Sequence, residues 1–378
     1  CTAAAPSVIS APSPSVSSPA GASATMAPSK DAGPTLFGIP MKWVSLIMLV
    51  AQTVGVVFMM RLSRTSSVEG GRRYLNTTAV FFSEVIKLLC SFLFLCQEKG
   101  GPGVAAGLVV QAFTRNPTEV LKVCVPGLLY TVQNNLLFIS LSNLSGAVYQ
   151  VTYQLKILTT AVLSVLILGK ALGPTKWSSL LLLTAGVTLI QMPRGDGGSS
   201  HVAAEGNAAV GLTAVLSACV TSGLAGVYLE KILKQTDASI WLRNIQLGSI
   251  GALVALAGCF MQDGAAIREA GFMQGYCRLV WAVILLQAVG GLVVAAVLKY
   301  ADNILKCFGN AVSIVISCLL SAWLLQEFVP DLLFVVGTLF VLGATSLYSL
   351  GVPQSVLMLW NRLLGKKSKG EDSGEGAV

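Results

Sequence analysis

Charge is scarce in this sequence. Only 11% of its 378 residues are Asp, Glu, Lys or Arg, where soluble domains carry about 25%. Water is therefore not the solvent for most of its surface. There is one histidine, His201, and none of the nine cysteines forms a C-x-x-C pair, so the ligand spacing of zinc sites is missing. Most of the cysteines lie inside apolar runs and read as free thiols packed in helices. No G-x-x-x-x-G-K-[ST] occurs, and no G-x-G-x-x-G between a strand and a helix, which excludes an ATPase or dinucleotide enzyme of the usual kinds. The net charge is +8. Its basic residues sit in short segments between apolar runs, with no stripe interleaved with aromatics, so nucleic acid is not an expected partner.

Residues 1–40 are rich in Ala, Pro and Ser and lack an apolar h-region. They do not read as a signal peptide and are expected to be disordered. The sequence opens on Cys1 rather than methionine, so it reads as a fragment or a translated reading frame, with Met26 and Met41 as candidate starts.

What is present is hydrophobicity, 54% of the residues, with a mean hydropathy of +0.74. A helix crosses a hydrocarbon core of about 30 Å with about 20 residues. Ten segments are long enough: 42–61, 77–96, 121–141, 145–168, 176–192, 208–231, 239–261, 279–299, 303–326 and 331–352. Each is continuous and does not alternate apolar with polar, so helices are expected rather than barrel strands. Longer polar loops are expected at 97–120, 193–207 and 262–278, and a charged, Gly-rich tail follows Trp360. Ten spans put both termini on one side. Fifteen Lys and Arg lie on that side and seven on the other, which predicts cytosolic termini, against the Arg-rich segment 61–73.

A weak internal repeat appears at an offset of 157 residues. It places Gly186-Val187-Thr188 on Gly343-Ala344-Thr345, Leu168 on Leu325, Lys170 on Glu327, Tyr149 on Lys306, Lys156 on Ser313 and Asn134 on Gly291. Two halves of five spans must be inverted relative to each other, the plan of many secondary transporters. The expected organisation is an N-terminal tail (1–40), a first five-helix repeat (41–192), a polar linker (193–207), a second five-helix repeat (208–352) and a C-terminal tail (353–378).

Ionisable groups in a bilayer cost roughly 2.5–3.5 kcal/mol on insertion scales, so each asks for a function. Tyr149, Tyr153 and Lys156 follow i, i+4, i+7 and share a helical face. Two phenols and an ammonium suit a ring and a phosphate; a Lys156 snorkelled to the headgroups is the alternative. Lys306, Asn310 and Ser313 share a face of the ninth span, and lysines from the two halves could converge on one pyrophosphate. Tyr130, Gln133, Asn134 and Asn135 stand together in the third span, where amides serve a base and ribose or a neighbouring helix. Asn244 with Gly248 and Gly251 forms a small-residue face where a flat base could lie, or where another helix could pack. Gly223, Gly226, Gly290 and Gly291 permit close helix approach. Glu84 and Lys87, three apart, can neutralise each other or couple protons. Arg243 is expected near an interface, and Asp302, Glu327, Asp331 and His201 are expected to be solvated.

Six stretches are similar to the nucleotide-sugar transporters of the Golgi and endoplasmic reticulum. They are Glu-Val-Ile-Lys-Leu-Leu (84–89) with Thr-Thr-Ala-Val (77–80), Tyr-Thr-Val-Gln-Asn-Asn (130–135), Tyr-Gln-Val-Thr-Tyr-Gln-Leu-Lys-Ile-Leu-Thr-Thr (149–160), Gly-Leu-Ala-Gly-Val-Tyr-Leu-Glu-Lys-Ile-Leu-Lys (223–234), Trp-Leu-Arg-Asn-Ile-Gln-Leu-Gly (241–248) and Lys-Tyr-Ala-Asp-Asn-Ile-Leu-Lys (299–306). The resemblance covers roughly residues 42–352 and is to the subgroup carrying UDP-N-acetylglucosamine, UDP-galactose and CMP-sialic acid. It implies an all-α membrane protein of the drug/metabolite transporter fold, with ten helices in two inverted five-helix repeats, in the Golgi or endoplasmic reticulum membrane. It implies antiport of a nucleotide-sugar against a nucleoside monophosphate, with no cofactor or metal, no enzyme activity, and a homodimer among the assemblies to expect. It carries nucleotide-binding roles to Asn134, Tyr149, Lys156, Gly223, Asn244 and Lys306. Gly248 stands where the CMP-sialic acid carriers have tyrosine, so UDP-N-acetylglucosamine and UDP-galactose are the expected substrates, the first slightly ahead. A CMP-sialic acid exchanger, or a small-molecule exporter of the same fold, is the alternative. A glycosyltransferase would want carboxylates that the spans do not offer.

Overall fold

Local signals start and stop the helices. Pro102 and Pro174 stand in the first turns of α3 (Pro102–Thr114) and α7 (Pro174–Gln191), where a missing N–H costs nothing. Asp302 accepts from Leu305 N at 2.7 Å and opens α11 (Asn303–Leu320). Ser239 accepts from Trp241 N at 3.2 Å and opens α9 (Ile240–Ala270). Gly100 and Gly169, at φ 82° and 65°, end α2 (Asn76–Lys99) and α6 (Lys156–Leu168) in the left-handed region that favours glycine. The remaining helices are α1 (Met41–Thr65), α4 (Pro117–Asn143), α5 (Gly146–Tyr153), α8 (Ala208–Gln235), α10 (Arg278–Tyr300) and α12 (Leu332–Leu350), with a π-turn at Ser321–Leu325 after α11. A two-residue antiparallel pair, Thr35–Leu36 with Ile39–Pro40, precedes α1.

The structure is a computed structural model that describes residues 35–36, 38–65, 74–115, 117–192, 207–235, 238–325 and 330–350. The expectations for the N-terminal tail before residue 35, the segment 66–73, the linker with His201, Glu327 and the C-terminal tail fall outside the described residues.

Nine helices among the described residues are long and apolar enough to cross a membrane, and α5 with α6 makes one of them. The tenth expected span is α7, which has 18 residues, but its first six are Pro-Thr-Lys-Trp-Ser-Ser and it is not among the nine. Leu89, Leu166, Leu253 and Leu339 stand exposed on outer faces. In water such a surface would associate; in lipid it is solvated. Several inward hydroxyls satisfy themselves on their own helices, as Ser83 does on Val80 O at 2.7 Å and Ser164 on Thr160 O at 2.8 Å.

Two loop expectations are corrected. The segment 97–120 holds α3, a 13-residue apolar helix, and residues 262–270 belong to α9. The few charges in these segments hid their apolar periodicity.

Helix pairing follows a pattern. α2 packs along α9 and α7 along α12; α1 packs on α10 and α11, while α8 packs on α4 and α6. The α2/α9 pair is antiparallel: Ser239 meets Glu98, Trp241 stacks on Phe94, and Asp263 accepts from Thr77 at 2.5 Å. In the α7/α12 pair a Cβ on Gly186 would lie 2.9 Å from Gly337 O and 3.0 Å from Val341 N. Those are backbone atoms of the facing helix and cannot swing aside. Gly186→Ala is therefore expected to cost about 1–3 kcal/mol through overpacking. Gly343→Ala, whose new methyl meets only Leu182 Cδ2 at 3.8 Å, should be near neutral. Thermal unfolding of the two detergent-solubilised variants tests this; equal melting temperatures would refute the close approach.

Candidate functional site

The fourth span is not one helix. Between α5 and α6 the backbone tightens into i→i−3 bonds: Gln154 N to Val151 O at 3.2 Å, Leu155 N to Thr152 O at 3.1 Å and Ile157 N to Gln154 O at 3.0 Å. The Gln154 side chain anchors the turn on α7, donating to Gln191 Oε1 at 2.5 Å. Lys156 becomes the first residue of α6, just past this tightened turn.

Tyr149 and Tyr153 stack with centroids 5.7 Å apart and planes 9° from parallel, and Lys156 Nζ sits 4.1 Å from the Tyr153 centroid. The face read from i, i+4, i+7 survives the turn. Gln133, buried on α4, donates to Tyr153 OH at 3.0 Å, and its Oε1 has no partner. Lys306 stands one turn into α11, within electrostatic reach of Lys156. Among the described residues neither lysine is paired with a carboxylate. A stacked aromatic pair and two lysines within electrostatic reach of each other thus stand in one region of the bundle.

The structure places the other expected residues less uniformly. Gly223 is buried where α8 crosses α6, and a Cβ there would lie 3.2 Å from Thr160 N and 3.0 Å from Leu163 Cδ1. Its geometry is that of helix packing. Asn244 is 3% exposed and its Nδ2 has no partner, a costly state that a ligand would relieve. Asn134 and Asn135 are exposed and Tyr130 is half-buried on α4. Asn135 bonds its own helix at Thr131 O, 2.9 Å, and no hydrogen bond joins these three to the tyrosine–lysine group.

Of the two readings of Gly248 and Gly251, the structure shows helix packing and not a free face. Cβ atoms there would meet Leu88 Cδ2 at 3.1 Å and Glu84 Oε2 at 2.7 Å, so α2 already fills it. Glycine spacing signals a close approach, and only the fold says by what. Glu84 and Lys87 form the expected ion pair at 2.5 Å. Arg243, in the first turn of α9, is buried within the bundle, holding Glu119 at 2.6 Å and Gln246 at 2.9 Å. Asp302 and Asp331 are not merely solvated: each accepts a backbone N–H at the start of a helix.

One centre went unread in the sequence. Glu230, fully buried on α8, pairs with Lys170 at 2.8 Å and Lys234 at 2.9 Å and accepts from Asn303 N at 3.0 Å. Asp302 approaches Lys170 at 3.5 Å. The available signal was the i, i+4 spacing of Glu230 and Lys234 on one helix.

Fold and site together define a polytopic helical membrane protein with an internal cationic and aromatic site. The nucleotide-sugar transporter profile matches residues 38–349. The human UDP-N-acetylglucosamine transporter is 49% identical over 309 residues, covering 82% of this chain and 95% of that protein. A UDP-N-acetylglucosamine/UDP-N-acetylgalactosamine transporter of Caenorhabditis elegans is 47% identical over 316 residues, covering 82% and 93%. The bovine UDP-galactose translocator is 46% identical over 311 residues, covering 82% and 78%. A crystal structure of a protein 14% identical superposes with a TM-score of 0.57, covering 82% of this chain and 96% of that one, a likeness of fold alone. The chain belongs to the nucleotide-sugar transporter family. It is accordingly a transporter and not an enzyme.

Proposed function

We propose that this transporter exchanges a cytosolic UDP-sugar, UDP-N-acetylglucosamine or UDP-galactose, for luminal UMP across the Golgi membrane. The observation that carries the reading is Lys156 beside the stacked Tyr149 and Tyr153, with Lys306 within electrostatic reach and neither lysine paired with a carboxylate among the described residues. They stand on either side of the linker, one in each five-helix half, and a pyrophosphate neutralises both in a low-dielectric interior. Tyr149 and Tyr153 offer a stacked wall to the ring, held by Gln133. Asn244, with a free amide donor, suits a base or ribose, and Asn134, Asn135 and Tyr130 stand on the neighbouring α4. Gly223 keeps α8 close to α6.

The halves read as residues 41–192 and 208–352, ten helices inverted about an in-plane axis, with cytosolic termini. Displacement by 157 residues supports this: it carries the end of α4 at 143 onto the end of α10 at 300, the start of α5 at 146 onto the start of α11 at 303, and the end of α6 at 168 onto the end of the π-turn at 325. The helix pairings support it too, because exchanging the halves carries the α1/α10 contact onto α8/α4 and the α1/α11 contact onto α8/α6. The names of the relatives favour UDP-sugars. A CMP-sialic acid carrier's tyrosine at position 248 would have to displace Leu88, 3.1 Å from the Cβ position, which disfavours that alternative.

Proteoliposomes preloaded with UMP or CMP, offered UDP-N-acetylglucosamine, UDP-galactose and CMP-sialic acid in turn, test the reading. UDP-sugar uptake accelerated by internal UMP alone is expected. Acceleration by CMP would reverse the assignment of the base, and no exchange of any of them would refute the function.

A further inference from the structure

The face of α11 that carries Lys306 continues beyond it. Ser313, Ser317 and Ser321 lie on it, and with Ile314, Cys318 and, across from them, Thr53 and Val57 of α1 they line a half-open cavity of about 190 Å³. Ser313 Oγ is engaged by its own helix, at Gly309 O, 2.9 Å. Ser317 Oγ is buried with no hydrogen-bond partner, and Thr53 Oγ1 has only a long bond of 3.4 Å to Gln52 Oε1. Seven residues of helix separate Ser313 from Lys306, about 10 Å along the axis. The cavity thus begins about 10 Å along the helix from the lysine, a span that a phosphate and a pyranose together can bridge. It is smaller than the roughly 300–1,000 Å³ of a pocket for a whole drug-sized ligand, so it suits one ring and not a nucleotide.

The related seam in the first half is closed. Displaced by 157 residues, Ser313 and Ser317 fall on Lys156 and Thr160, and there α8 presses Gly223 against Thr160. The open seam is therefore not an obligatory feature of the packing. Its lining is mostly carbon surface with a few hydroxyls among it, which suits the apolar face of a pyranose and one or two of its polar groups.

We propose that the α1/α11 cavity seats the sugar of the nucleotide-sugar. Ser317 and Thr53 bond its hydroxyl or acetamido groups, and Val57, Ile314 and Cys318 pack on its carbon face. The proposal rests on the reading of Lys156 and Lys306 as the phosphate site. The cavity then decides which sugar is carried, while the nucleotide is held elsewhere.

The test is Ser317→Leu, which fills the cavity, beside Ser317→Ala, which removes only the unpartnered hydroxyl. Purified full-length protein in proteoliposomes is assayed for uptake of UDP-N-acetylglucosamine and UDP-galactose and for UMP/UMP exchange, which needs no sugar seat. Ser317→Leu is expected to raise the KM for both UDP-sugars at least tenfold while UMP/UMP exchange stays within twofold. Ser317→Ala is expected to change the ratio of kcat/KM between the two sugars at least threefold. Unchanged UDP-sugar uptake in Ser317→Leu overturns the proposal. So does an equal loss of UMP/UMP exchange and sugar uptake in both variants, which would mark a gate or a folding defect. Wild-type protein that fails to exchange UMP would instead refute the nucleotide reading, and the seat with it.

Discussion

Lys156→Glu is expected to reduce UDP-sugar uptake more than a hundredfold while the protein still extracts and elutes as a folded species. A hydrogen bond to a charged group contributes about 1.5–3 kcal/mol, and about 1.4 kcal/mol is a factor of ten. The swap removes such a bond and sets a carboxylate where the phosphate belongs. It also brings a carboxylate within electrostatic reach of Lys306, which has no carboxylate partner among the described residues, so the site is neutralised from within and no longer needs an anion. Lys156→Gln removes the attraction without adding the repulsion and should lose less. Initial rates of radiolabelled uptake, normalised to reconstituted protein, measure both. Near-normal uptake by the Glu variant would remove Lys156 from the phosphate site.

Glu230→Ala should be the most destabilising single substitution among the charged residues of the spans. Its carboxylate is wholly buried and holds Lys170, Lys234 and the backbone N–H of Asn303. Removing one member of a buried pair costs about 3–5 kcal/mol, because the charge left behind stays desolvated. Lys170 is the group left behind here, with its side chain 22% exposed. The carboxylate ties the α6–α7 link to α8 and to the start of α11, so three elements loosen at once. Glu230→Gln keeps an acceptor for Asn303 N and should cost less. Lys99→Ala breaks a pair whose members are 39% and 37% exposed and should fall within about 1 kcal/mol. Thermal unfolding in detergent ranks the three; a Glu230→Ala melting temperature no lower than that of Lys99→Ala would show that the cluster does not hold the fold.

Much of this architecture was legible from hydropathy, and the reason is the solvent. A bilayer demands that a crossing segment be apolar over some twenty residues and satisfy its own backbone. That demand writes the spans into the chain directly, and α1, α2, α4, α8, α10 and α12 stand close to where they were expected. It also makes rare polar residues conspicuous, so Tyr149, Tyr153 and Lys156 were found as one face and are one face. The same logic failed at Gln154–Leu155. The residues there are ordinary helix formers, and the tightened turn depends on Gln191, 37 residues away. Gln133 stood beside Asn134 and Asn135 as one amide among three, and only the α4/α5 contact shows that it is the one that holds Tyr153.

Glycine spacing and charge burial are the clearest cases of what tertiary structure alone decided. Gly223, Gly248 and Gly251 announce that something comes close, and the fold supplies Thr160, Leu88 and Glu84. Arg243 and Glu230 sit near helix ends, where sequence predicts contact with water or headgroups, yet both are inside. A residue's depth along a span is set by local hydropathy. Its depth within the bundle is set by which helices pack around it, and those come from the other half of the chain. The sequence by itself determined that this is a multi-spanning helical membrane protein, the family it resembles, and which side chains are too costly to be idle. The tertiary structure decided which of them meet, because a side chain's electrostatic partner is chosen by packing between helices and not by order along the chain.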